Sequence, residues 1–510
     1  MNWINSSVII LTDTQEQVHV MDFEISEELE TIDVNDLQLV YGSAFFKGLS
    51  TGGNVSEAMR MAGERSCYYS ICPLMTIDGS LDRLFLLGTR SVIIYSVRSW
   101  DDRIDWFVKQ NKYPEAFALS SSFYQGEARA TIGLPSNPVD RRRIVALKLV
   151  HLIREYIDLG ITKLTPASGS VDLLLDHYNH VIPICLEYSL SIESECDALI
   201  DEINNKFCHD YLAQSTFWEC LQEHVSNGRI SKLNPEMTKN MIDYFEEQGR
   251  LLDVESMIVR LQITCLDIHQ CMTVCRKYNL IDGVIYLHNQ AFCDYLSPIL
   301  EIYDRIQEKV LRKEKLEDQD VDIGMKLLVY ISCCLTGRSY PYGDIEEKEK
   351  NRVRCEVITF ITDWNCRTTG VQIPFANIRT LLYLDTSEFL NVLSLAFESD
   401  PNFDGEVNVS KEQNQKVVDV LLQVMVPDSE FTSSQIGSLY MFLARQVSKR
   451  ESAIHVSKSL LEEIIQFLTE CEDERKKEDC QQALLELAQS GMVDGGLLDK
   501  MLHHSLHAGL

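Results

Sequence analysis

Hydrophobic positions change their period near residue 100. Upstream, short apolar runs alternate with a period of two, as in Val8, Ile9, Ile10 and Leu11, then Val18 and Val20, then residues 84–87 and 92–97. Such alternation predicts strands. Residues 1–99 are expected to form about four or five of them, broken by turn-rich stretches at Asp13-Thr14, 48–54, Asp78-Gly79 and 88–91. Downstream the pattern is helical almost without interruption. The junction itself, SVRSWDDRIDWFVKQNKYPEAFALSSSFYQGEA, is expected to be a helical hairpin, with Ile104, Phe107 and Val108 on one stripe and Ala116, Leu119 and Phe123 on the next.

Further helices are expected within 141–158, where Val145, Leu149, Leu152 and Tyr156 fall on one face. They continue at 171–190, 197–225, 236–261 and 266–290, then at 323–340, 352–364, 374–397, 413–426 and 434–447, and finally at 457–471 and 478–505. Charged stretches at 313–322, 344–351 and 398–415 are expected to be surface loops. Asp385, followed three residues later by Glu388, has the spacing of a capping box. A weak internal echo pairs residues 111–116 with 278–283, each placing an acidic and then a small residue at the start of a second helix, where small side chains let two helices approach closely.

Stacked antiparallel helix pairs without a strong consensus describe an α-solenoid. The expected fold class is therefore mainly α, with 1–99 a β-rich module and 100–510 the solenoid. The run RLFLLGTRSVIIYSV, two apolar strands around a four-residue turn, has the look of the inner strands of a propeller blade. A blade takes about 40–45 residues and a propeller about 4–8 blades, so the β module reads as a partial propeller of about two blades.

Composition narrows the functional classes. The chain has 47 Lys and Arg against 77 Asp and Glu, a net charge of −30, which repels phosphate backbones and anionic lipid headgroups. Nucleic acid is not an expected partner. Sixteen cysteines are scattered through apolar stripes, for example Cys271 and Cys275, and read as buried thiols of a reducing compartment. On that reading the sequons at Asn5, Asn54 and Asn408 carry no glycan. No apolar run reaches the roughly 18–20 residues of a membrane span, so membrane association is expected to go through partners.

Candidate chemistry is sparse, and each motif has a structural rival. Gly48-Leu49-Ser50-Thr51-Gly52 matches the G-x-S-x-G nucleophile elbow between a strand-like and a helix-like run, yet no alternation of strands and helices follows to deliver an acid and a histidine. Residues 400–412 place oxygen ligands and a glycine as a calcium-binding loop does, but Lys411 stands where the bidentate carboxylate belongs and Glu412 is displaced by one; an acidic inter-helix loop explains them better. His503, His504 and His507 include a chelating i, i+4 pair without a carboxylate or cysteine beside it. No C-x-x-C pair occurs in the sequence, and Cys333-Cys334 reads as core. Arg141-Arg142-Arg143, the densest basic run, reads as a helix surface. No catalytic, cofactor-binding or metal-ligating residue is assigned, and no cofactor is expected.

Residues 100–130, DHYNHVIPICLEYSL at 176–190, KLLVYISCCLTGRSYPYGDI at 326–345 and IRTLLYLDTSEFLNVLSLAFE at 378–398 resemble the central region of the vacuolar protein sorting-associated protein 8 family. The likeness covers most of residues 1–430 and weakens over the last 80. It implies a β-propeller followed by an α-solenoid, acting as a non-enzymatic subunit of the CORVET endosomal tethering complex in early-endosome fusion and endosome-to-vacuole or lysosome transport. Implied partners are the class C core subunits and an early-endosomal Rab GTPase. The implied location is cytoplasmic, peripheral on early and late endosome membranes. Against that family, the chain is expected to lack most of the propeller, where the Rab contact falls, and the C-terminal RING-like zinc domain. Periodicity alone leaves open a coat or nuclear-pore-type scaffold, and the Ser50 elbow leaves open a serine hydrolase.

Overall fold

The structure is a computed structural model and describes residues 2–3, 8–12, 17–22, 27–37, 71–75, 81–88, 90–96, 98–128, 131, 133–135, 137–162, 171–192, 194–312, 314, 316–364, 373–398, 407–425, 430–449, 454–470 and 474–490. It divides into two compact units, residues 1–224 and 225–510.

The first unit opens with two small antiparallel sheets. β1 (Asn2–Trp3), β2 (Val8–Thr12), β3 (Gln17–Asp22) and β4 (Glu27–Asp33) pair in sequence order, with Ile10 opposite Val20 and a register shift between Val20 and Met21. Consecutive Ile9 and Ile10 point to opposite faces and are both buried, so β2 is covered on both sides, where strict alternation would leave one face wet. β5 (Ile71–Met75), β6 (Leu81–Leu87) and β7 (Val92–Ser96) form the second sheet. The RLFLLGTRSVIIYSV hairpin is present as β6 and β7, closed by the Gly88 amide donating to the Ser91 carbonyl at 2.9 Å. Within the described residues β6 is the middle strand and β7 lies at the edge. A Cβ on Gly88 would come within 2.4 Å of the Leu37 carbonyl oxygen, so only glycine lets the 3₁₀ turn Asn35–Leu37 rest against the end of β6.

Helices begin at residue 100. In the first unit they are α1 (Trp100–Lys109), α2 (Tyr113–Gln125), α3 (Pro138–Thr162), α4 (Val171–Leu190) and α5 (Cys196–Phe207), with α6 (Tyr211–Ser226) reaching the boundary. α1 to α5 pack on neighbours close in sequence. The stripe Val145, Leu149, Leu152 and Tyr156 of α3 is buried along its length, against an aromatic group in which Phe117 stacks on Tyr188 at 4.8 Å and meets Tyr156 edge-on at 5.5 Å.

The second unit holds α7 (Pro235–Glu247), α8 (Leu251–Arg260), α9 (Ile268–Tyr278), α10 (Ile281–Phe292), α11 (Leu296–Leu311), α12 (Asp318–Thr336), α13 (Glu347–Ile361), α14 (Ala376–Leu384), α15 (Thr386–Glu398), α16 (Val407–Val424), α17 (Ser433–Ser448), α18 (Lys458–Thr469) and α19 (Glu474–Gln489). One continuous apolar core runs from Ile281 to Leu487.

Three hairpins share one turn. Asn111, Gly249 and Asn279 are left-handed, with φ of 57°, 71° and 57°, between α1 and α2, α7 and α8, and α9 and α10. In each, the next amide reaches back five residues to a helix carbonyl: Lys112 to Phe107, Arg250 to Phe245 and Leu280 to Cys275, at 2.9–3.0 Å. This is the Schellman closure, which glycine and asparagine accept most readily. The expected echo is corrected: the shared turn aligns Asn111 with Asn279 and not with Tyr278, so the acidic and small positions of the two segments do not coincide.

Two sequence expectations are corrected. Residues 296–311, given no helix, form α11, because Pro298 sits in the first turn, where its missing amide costs no hydrogen bond. The three charged stretches are in part helix: α12 starts at Asp318, α13 at Glu347 and α16 at Val407. At α12 the acidic residues make the helix start, with Glu317 and Asp320 closing a capping box and carboxylates facing the positive end of the helix dipole.

Candidate interaction groove

The residues around α10 are locked by a polar cluster that fixes four elements at once. The Glu255 carboxylate, on α8, accepts hydrogen bonds from the Asp282 and Gly283 amides at 2.8 and 3.3 Å, capping α10 from a neighbouring helix. Asp282 in turn accepts from Lys326 of α12 at 2.9 Å and from the Tyr340 hydroxyl at 2.8 Å. Burial, reinforced by the nearby Asp282 charge, raises the Glu255 carboxyl above its ordinary range, and burial together with the bond to Asp282 raises the Tyr340 phenol. A Cβ on Gly283 would lie 2.6 Å from Cys275 Sγ, so α9 and α10 approach as closely as a small residue permits. The loop 337–346 closes the cluster, with Arg260 stacked over Tyr342 at 4.3 Å.

Beyond this cluster α11, α13 and α14 enclose an apolar groove of about 310 Å³. Leu296, Leu300, Tyr303 and Gln307 line it from α11 at i, i+4, i+7 and i+11, a single helical face. From α13 come Cys355, Thr359 and Phe360, and from α14 Asn377. Its walls are fixed by bonds that hold each helix: Tyr303 meets Phe360 edge-on at 5.3 Å and shares a hydrogen bond with Thr380 at 3.2 Å, while the Asn377 amide donates to the Phe360 carbonyl at 2.7 Å. Cys355 receives the Gln413 amide at 2.9 Å. Asp304, Glu356 and Asp363 stand around the opening. A greasy floor under a carboxylate rim suits a helix with an apolar ridge and basic flanks. It holds no nucleophile paired with a base.

The motifs singled out in the sequence do not meet here. Ser50, the acidic residues 400–406 and His503, His504 and His507 lie outside the described residues. Lys411 and Glu412, at the end of the calcium-loop pattern, are exposed on the first turns of α16. Cys334 is buried on α12 and Cys333 half-buried, and burial raises both thiols. Cys271 and Cys275 are fully buried, each pushed up to about 12. Arg142 and Arg143 lie exposed on α3. Among the described residues no cluster of histidine, cysteine and carboxylates could hold a metal ion. Among them also, no helix is long and apolar enough to cross a membrane. The groove itself was missed from sequence because α11 was; its i, i+4, i+7, i+11 stripe was the available signal.

Helical hairpins packed on their sequence neighbours behind a small N-terminal β region place the chain among propeller and solenoid proteins. Residues 1–96 match a family model described as the Vps8 beta-propeller, and residues 216–397, which include the whole groove, match one described as the Vps8 central TPR. The chain is 38% identical over 492 residues to the human vacuolar protein sorting-associated protein 8 homolog, covering 96% of this chain and 34% of the human protein. The Drosophila melanogaster homolog is 30% identical over 92% of this chain, and the Saccharomyces cerevisiae protein 25% identical over 49%. The chain belongs to the vacuolar protein sorting-associated protein 8 family. It spans 34% of the length of its human and fly relatives.

Proposed function

We propose that this chain is a non-enzymatic scaffold subunit of an endosomal tethering complex of the CORVET type. It acts in early-endosome fusion and in transport from endosome to vacuole or lysosome. Its partners are the class C core subunits and, through the propeller, an early-endosomal Rab GTPase. It sits on the cytoplasmic face of early and late endosomes and reaches the membrane through those partners.

Membership of a family whose relatives are named for vacuolar protein sorting supports this reading. The observation that carries it is the groove between α11, α13 and α14, which offers a preformed helix-docking surface and no catalytic constellation. The test is affinity isolation of the tagged chain from cytosol with mass spectrometry of what co-purifies, in parallel with Leu300→Asp and Thr359→Arg in the groove. Class C core subunits are expected with the parent chain and depleted with both variants. Coat or pore subunits instead, or no core subunits at all, would overturn it.

A further inference from the structure

Ahead of α11, the last turns of α10 bury a histidine that packing alone does not explain. The His288 side chain is 12% exposed and its ring lies 5.9 Å from that of Phe292. Among the described residues neither of its ring nitrogens, both shut off from solvent, has a hydrogen-bond partner. A buried imidazole ordinarily bonds through at least one nitrogen, and an apolar side chain fills a site without polar contacts at lower cost. What the imidazole adds over such a side chain is the capacity to take up a proton.

The surrounding charges come from several elements. At the α10–α11 junction the Asp294 Oδ2 stands 3.8 Å from His288 Nδ1, too far for a hydrogen bond. Its Oδ1 accepts the Leu296 and Ser297 amides at 3.1 and 3.0 Å and so caps α11. The Asp294 amide in turn donates to the His288 carbonyl at 3.2 Å, across the left-handed Cys293. Glu301 of α11 is held by Arg276 of α9 at 3.2 Å and by Arg305 at 3.1 Å, which blunts its pull on the ring. Arg352 of α13 reaches the junction and donates to the Cys293 carbonyl at 2.9 Å. Glu255 of α8 and Lys326 of α12 act at the opposite end of α10, on its first amides and on Asp282. Burial therefore outweighs the attraction of Asp294 and holds His288 neutral below its ordinary value of 6.5.

We propose that His288 is a proton-operated latch on the α10–α11 junction: uptake of a proton by the ring loosens the start of α11, and with it the Leu296 and Leu300 wall of the groove. An imidazolium needs an acceptor at bonding distance, and the one carboxylate within ion-pair reach is already committed to the α11 amides. Either the ring leaves its site for water, or Asp294 moves by about 1 Å to meet it and strains the cap. Both movements act on the same junction. The folded chain binds this proton less readily than the unfolded one, so the stabilising contribution of His288 is present above 6.5 and is lost as pH falls through the lowered folded value. Glu255 acts at the other end of α10 with the opposite sign. The inference is independent of the tethering assignment, since it concerns the junction and not its partners.

The test is hydrogen exchange of the full chain from pH 7.5 to pH 5.5, expressed as protection so that the intrinsic pH dependence of exchange is removed. Protection of residues 294–300 is expected to fall about fivefold over that range, with α17 and α18 unchanged. His288→Phe supplies a ring that takes no proton and should make protection at 294–300 independent of pH. Asp294→Asn keeps an oxygen for the α11 amides but removes the charge, and should move the loss of protection to lower pH; it leaves His288 itself untouched, so it decides the matter even if His288→Phe fails to fold. The proposal is overturned if protection at 294–300 in the parent does not change with pH, if His288→Phe folds and retains the parent's pH dependence, if Asp294→Asn leaves that dependence where it was, or if acid loosens every helix equally.

Discussion

At the level of single residues, Gly283 is a tightly constrained position. Gly283→Ala drives a methyl group into Cys275 Sγ and is expected to cost about 1–3 kcal/mol, because packed helices yield little. The double variant Gly283→Ala/Cys275→Ala should recover most of that loss in thermal unfolding; no recovery would place the strain elsewhere. Glu255 sets a pH dependence of known sign. Its folded carboxyl binds a proton more readily than the unfolded one, so its stabilising contribution is full below its ordinary value of 4.5 and is lost as pH rises through the raised folded value. Glu255→Gln keeps an oxygen for the Asp282 and Gly283 amides and removes the like charge. Unfolding midpoints measured from pH 4.5 upward should fall less with pH in the variant than in the parent. Thiol chemistry should follow burial too: exposed Cys293 is expected to react with a maleimide well before Cys271, Cys275 or Cys334, as peptide mapping after brief labelling would read. Much of this was legible in the sequence, since apolar neighbours on a helical stripe already imply a buried thiol. The Asp385 cap was legible as well, and its carboxylate accepts the Glu388 amide at 3.0 Å. The Glu255 cap was not, because its donors lie 27 and 28 residues away along the chain and are brought together by helix packing.

At the level of elements, the closing loop of the polar cluster invites a direct measurement. Tyr340→Phe removes the hydroxyl bond to Asp282 while leaving Lys326 in place, and is expected to cost about 1–2 kcal/mol. The loss should appear in hydrogen exchange as faster opening of the first turn of α10, with α17 and α18 unchanged; uniform acceleration would mean that the loop acts on global stability. Helices with uninterrupted apolar stripes, such as α3, could be read directly from spacing. Boundaries were harder wherever charge and helix start coincide. A cluster of acids in a sequence is equally compatible with a solvated loop and with a first helical turn, and what decides at 318–320 is the reciprocal bond between Glu317 and Asp320. α11 shows the same ambiguity with proline: Pro298 falls within the first turn, where its missing amide costs no helix hydrogen bond, whereas α4 carries Pro183 in its interior.

At the level of the whole molecule, the helices pack mostly on neighbours close in sequence, and the bond that residues 1–99 are seen to lend them is the Ser99 cap of α1, which exchanges hydrogen bonds with Asp102. Removing residues 1–99 is therefore expected to leave helical circular dichroism and a cooperative melt intact, and loss of cooperativity would show that the β strands help to hold the first helices. The net charge of −30 was legible directly in the sequence. The left-handed turns at Gly249 and Asn279 have a different kind of consequence. They fall about thirty residues apart, each joining the two helices of a hairpin whose contacts are mostly with its sequence neighbours. In such a chain, natural length variation is cheapest in whole hairpins. Gaps between relatives should therefore open and close in steps of about one hairpin at these turns, and a history of single-residue slippage within α7–α10 would be selected against.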